Sequence, residues 1–73
     1  MNITRETKLA KLLKEYPWLR EEIAKVNDKF SMLNSPLGKI MEKKATIAEM
    51  SKKSGMDEDV LIAKITELIR VYS

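Results

Sequence analysis

In KLAKLLKEY the apolar residues Leu9, Leu12, Leu13 and Tyr16 fall at i, i+3, i+4 and i+7, which is one stripe with a helical period. Lys8, Lys11 and Lys14 lie off that stripe, and Thr7 stands where an N-cap belongs. Pro17 cannot continue a helix interior but suits the first position of a new one, so a sharp corner is expected at Tyr16-Pro17. A second helix then runs to about Val26 and turns Leu19, Ile23 and Val26 inward. From Asn27 to Ser35, turn formers flank Phe30, Met32 and Leu33, which predicts a loop that plugs the core.

Ser35 is placed to cap a short third helix that opens with Pro36 and carries Leu37, Ile40 and Met41. Thr46 followed by Glu49 is a capping box, so a fourth helix begins near Ile47, turns Met50 inward and stops at Gly55. Asp57 caps the last and longest helix, whose Leu61, Ile62, Ile65, Leu68, Ile69 and Tyr72 make a broad apolar face. No segment alternates as a strand does. The expected fold is all-α: one domain over residues 1–73, a compact bundle of about five short helices with a helix-turn-helix-like C-terminal pair.

That pair raises a functional question, because Lys43 to Ile65 (KKATIAEMSKKSGMDEDVLIAKI) is spaced as a DNA-reading helix-turn-helix would be. In such a motif the first turn of the second helix approaches bases and phosphates, and here it is Asp57-Glu58-Asp59. Carboxylates facing a row of phosphates cost on the order of 1 kcal/mol per close pair. Charge is also distributed the wrong way. Twelve basic against seven acidic residues leave +5 on positions 1–53, whereas two against four leave −2 on positions 54–73. The same carboxylates suit a helix N-terminus, where they complement the dipole and satisfy orphan amides. Nucleic-acid binding through residues 46–72 therefore stands as the alternative reading.

Composition removes several chemistries. The 73 residues contain neither Cys nor His, which excludes disulfides, thiolate nucleophiles, thiolate or imidazole metal sites and the usual proton shuttle. A domain of this size has a stability margin of only ~5 kcal/mol, so most large apolar side chains are needed for packing. Glu21 and Glu22 point about 100° apart on a helix and make a poor acid/base pair. Counted from Asp57, the sixth and twelfth positions of a calcium loop would be Ile62 and Leu68. There is no Gly-rich phosphate loop. The chain reads as a non-enzyme with no cofactor and no metal.

Two sets of side chains remain as candidate sites. Trp18 sits at the edge of the second helix and, with Phe30 and Met32, is the candidate partner-binding surface, since large aromatics at an edge are enriched in interaction hot spots. Its structural counterpart is closure of the corner at Pro17. Lys43, Lys44, Lys52 and Lys53 flank the fourth helix and form a candidate anion patch, although such pairs commonly serve solubility. No run of apolar residues approaches the ~20 that a membrane span needs. The first residues, MNITRETKLA, lack the apolar core of a secretion signal, so a cytoplasmic location is expected.

The order ITRETKLAKLLKEYPWL, a linker with Phe30 and Asn34-Ser35-Pro36, then KKATIAEMSKKSGMDEDVLIAKI, resembles a small bacterial helical domain catalogued as domain of unknown function eighteen-fifty-eight. The resemblance covers nearly the whole chain. It rests on Ile3-Thr4 ahead of the Leu-rich helix, Tyr16-Pro17, Asn34-Ser35-Pro36, and Ala45-Thr46 leading to Gly55. It implies packed short helices, a bacterial or archaeal origin and an accessory role, found alone or at the amino end of proteins with hemerythrin-like, sensor or iron-sulfur-repair parts. One branch carries two cysteines after the second helix and is described as a redox disulfide domain associated with hybrid-cluster proteins. The corresponding stretch here, Val26 to Leu33, has no Cys, so that thiol chemistry does not carry over. The expected function is a non-catalytic module that binds a protein partner or small ligand in a redox or sensing context. A monomer or a weak homodimer is expected, with Ile62 and Ile69 as the residues through which a second copy could pair.

Overall fold

The computed structural model describes residues 2–34 and 36–72, the side chains at positions 32–34, 37 and 41 excepted. Five α-helices follow in order: α1 (Leu9–Glu15), α2 (Leu19–Val26), α3 (Pro36–Glu42), α4 (Ile47–Ser54) and α5 (Glu58–Tyr72), with a 3-10 helix, Asp28–Asn34, between α2 and α3. The all-α bundle expected from the periodicity is the fold observed. Leu9, Leu12, Leu19, Ile23, Ile47, Leu61 and Ile65 are fully buried, and Leu13, Phe30 and Met50 complete the core. The helical stripe of α1 thus meets α2, α4 and α5 at one centre, as apolar positions recurring on one face require.

Local signals fix most helix ends. Thr46 is extended and its hydroxyl accepts the Glu49 amide at 3.3 Å, the expected N-cap of α4. Gly55 closes the same helix at φ 77°, a left-handed conformation that favours glycine, with its N–H on the Ser51 carbonyl at 3.0 Å. The hydroxyls of the buried Ser54 and of Ser51 bond the Met50 and Met56 carbonyls, so the turn into α5 is satisfied internally. Asp57 Oδ2 accepts the Asp59 amide at 3.2 Å, capping α5.

Other expectations are corrected. Residue 8, not Thr7, occupies the N-cap position of α1, and it makes no side-chain cap. The Thr7 hydroxyl instead accepts the Thr4 amide at 2.9 Å in a preceding turn. The Leu9 amide, which has no partner within α1, donates to the Ala45 carbonyl at 3.0 Å. In return, Ile47 and Ala48 donate to the carbonyls of Thr7 (3.0 Å) and Arg5 (2.9 Å), and Lys8 and Thr46 form a single antiparallel bridge. The expected loop after α2 is helical: Asn27 caps the 3-10 turn through its side-chain oxygen and the Lys29 amide, and Phe30 still plugs the core. The second helix starts at Leu19, after a turn at Pro17-Trp18. Ile40 and Tyr72, expected inward, are 62% and 57% exposed. The Ser35 cap lies outside the described residues, as do the side chains of Leu37, Met41 and Leu33.

Among the described residues, two bidentate ion pairs join distant segments. Arg20 clasps Glu42 at 2.7 and 2.8 Å, joining α2 to the end of α3 in a partly buried setting. Arg5 clasps Glu58, with its Nε 3.1 Å and its Nη2 3.2 Å from the carboxylate oxygens, and ties the amino-terminal segment to the first turn of α5. In both pairs the carboxylate hydrogen bond is the main reason the guanidinium binds its proton more tightly than usual.

Candidate functional site

The corner at Pro17 brings three aromatics together. Tyr16 ends α1, Trp18 precedes α2, and Tyr72 arrives from the end of α5. The indole lies edge-on to Tyr16 at 5.8 Å between centroids and tilted against Tyr72 at 5.3 Å. Trp18 is half-buried there and fastens the last turn of α5 to the corner, the packing role an aromatic beside Pro17 can have. Phe30 is only 4% exposed and belongs to the core. Trp18, Phe30 and Met32 therefore do not make one accessible surface: Phe30 is withdrawn from it, and the Met32 side chain lies outside the described residues.

The lysines sort differently. Lys43 and Lys44 lie in the turn after α3, and Lys52 and Lys53 in the last turn of α4. Lys44 and Lys53 share a shallow hollow of about 250 Å³ with Ala45 and Glu49, and Lys43 and Lys52 are not part of it. The Glu49 carboxylate between the two cations lowers the positive potential that an anion would require.

A larger hollow, about 390 Å³, lies between α2 and α5. Val26, Met56 and Leu68 supply its apolar surface, and Glu22, Lys25, Lys64 and Glu67 stand around them. Lys25 reaches Glu22 at 3.4 Å on one wall. On the other, Arg70 donates to Glu67 through Nη2 at 2.6 Å and Nε at 3.1 Å. Hydrogen bonding from Arg70, followed by its charge, holds the Glu67 carboxyl below the usual carboxylate range. An apolar floor within charged rims of both signs suits a neutral or amphipathic segment better than a simple ion.

Sequence reasoning missed this groove because its residues come from α2, from α5 and from the turn that precedes α5. A signal was nonetheless present on each wall. Glu22-Lys25-Val26 and Lys64-Glu67-Leu68 both read as a charge, its opposite three residues on and an apolar residue next. On a helix those three positions share one side.

The helix-turn-helix-like pair is also in place, α4 and α5 packing on each other across Gly55. At its tip Glu58 is held by Arg5, Asp57 caps the helix and Asp59 is exposed. Among the described residues no helix is long and apolar enough to cross a membrane, and no group of three or more acidic side chains is placed to hold a metal ion. Comparison with protein-family models, curated proteins and solved structures gives no match to the chain.

Proposed function

We propose that this domain is a non-catalytic accessory module that recognises a protein partner or small ligand, working in the cytoplasm of a bacterium in a redox or sensing context. The observation that carries the binding reading is the α2–α5 groove, where Val26, Met56 and Leu68 remain accessible within charged rims. The chain's lack of Cys and His supports binding over catalysis. The family resemblance of the sequence supports an accessory role, as a cysteine-free relative of the redox disulfide branch.

The groove is tested by placing a cation on its floor. Val26 ends α2, where a lysine complements the helix dipole, so Val26→Lys should keep the far-ultraviolet circular dichroism of the natural chain. A partner recovered with the tagged domain from its native host and identified by mass spectrometry should be lost with this variant. Equal recovery of that partner by both proteins would remove the groove as its site. The alternative, nucleic-acid binding through residues 46–72, draws on the Lys44–Lys53 hollow and has the Asp57 to Asp59 tip against it. Retardation of duplex DNA that weakens steeply with salt would favour it.

A further inference from the structure

The outer face of α5 carries a pattern that the core does not use. Val60 and Val71 are 48% and 61% exposed, and Ala63, Lys64 and Glu67 between them are exposed too. At 100° per residue these five positions fall within one sector of the helix, opposite the buried Leu61 and Ile65. Ile62 and Ile69, through which a second copy could have paired, are partly buried against their own core.

Two exposed valines on a helix mean little alone. Their register with the charges is what matters. If a second α5 is laid antiparallel on the first with a two-fold axis between residues 65 and 66, Val60 faces Val71 of the other copy and Lys64 faces its Glu67. Both the apolar and the ionic matches are made twice, as an isologous interface demands. One register satisfies every pair.

We propose that the domain self-associates as a two-fold symmetric dimer through this face of α5, with Val60–Val71 contacts at the two ends and reciprocal Lys64–Glu67 pairs near the axis. One face of a 15-residue helix falls short of the ~1,200 Å² that a stable interface buries, so the association is weak, with a dissociation constant on the order of 0.1–1 mM. Glu67 already takes Arg70 along its own helix, and its second partner joins at the rim of that pair. The interface overlaps the α2–α5 groove at Lys64 and Glu67, whereas neither end valine lines the groove, so Val71→Asp tests self-association without touching the groove.

Sedimentation equilibrium up to about 2 mM protein tests it, with circular dichroism confirming that each variant keeps its helices. The natural chain should rise above its monomer mass of 8.4 kDa as concentration increases. Lys64→Glu and Glu67→Lys each set like charges together twice and should each weaken self-association about tenfold. An equimolar mixture of the two variants restores opposite charges across the axis and should recover the dimer. Val71→Asp, outside the groove and outside the charge pairs, should also abolish it. A natural chain that stays monomeric throughout, or a dimer indifferent to both charge reversals and not rescued by mixing them, would overturn the proposal.

Discussion

The amino ends of α1 and α4 lie side by side and exchange backbone hydrogen bonds, but only α4 also has a cap from its own side chain. At α4 the chain supplies its own cap, the Thr46 hydroxyl on the Glu49 amide. At α1 the cap comes from elsewhere, the Ala45 carbonyl on the Leu9 amide, while Thr7 turns its hydroxyl back to Thr4. The Ile47 and Ala48 amides return the exchange by donating to Thr7 and Arg5. A helix end can thus be closed by a side chain its own segment encodes or by a backbone that only the fold brings near. The first kind is written into its own segment; the second exists only when the domain is assembled.

The sharpest way to break this contrast is at Ile47, the first residue of α4, where a proline fits the local rules because Thr46 is already extended. Ile47→Ala should lose about 3 kcal/mol in urea unfolding, since the side chain is fully buried. Ile47→Pro should lose about 1 kcal/mol more, because it also removes the amide that Thr7 receives. Equal losses would mean the cross-chain bond adds nothing.

A smaller effect separates the two threonines. Thr46→Ala should cost about 1 kcal/mol, as loss of a side-chain cap usually does. Thr7→Ala should cost about 0.5 kcal/mol or less, since its hydroxyl serves an exposed turn. Similar costs at the two sites would restore Thr7 as a helix cap.

The smallest effect concerns α5, whose ion pairs repeat the contrast: Arg5 reaches Glu58 across the fold, whereas Arg70 reaches Glu67 along the same helix. Because Arg70 lowers the Glu67 carboxyl, protonation favours the unfolded chain. The stability contributed is complete above the ordinary carboxylate pKa and is lost as pH falls through the lower folded value. Glu67→Gln should therefore lower the melting temperature slightly at neutral pH and match the natural chain in strong acid. A deficit unchanged by acid would assign the effect to something other than charge.

Much of this was readable in the sequence for a definite reason. Stripes such as Leu9, Leu12 and Leu13, and caps such as Thr46, Gly55 and Asp57, act within one or two turns, so neighbouring letters encode them. The five-helix count and most helix ends follow. The errors fall where distant segments meet. Asn27 to Asn34 has turn formers at its ends, but packing on α2 and α3 winds it into a 3-10 helix. Phe30 was expected both to plug the core and to join Trp18 on a partner-binding surface, and only the packing shows that it does the first and is withdrawn from the second, while Trp18 lies between two tyrosines. The α2–α5 groove could not be read from either helix alone.

The sequence by itself determined that this chain is a helical bundle without thiol or imidazole chemistry, and where most of its helices stop, because side-chain type and spacing carry that information locally. The tertiary structure alone decided how residues 5–9 pair with residues 45–48, which aromatics stay accessible and which charges meet across the bundle. Every residue but proline carries the same backbone donor and acceptor, so no letter specifies which distant carbonyl an amide will find. That choice is made by the packing of the core beneath it.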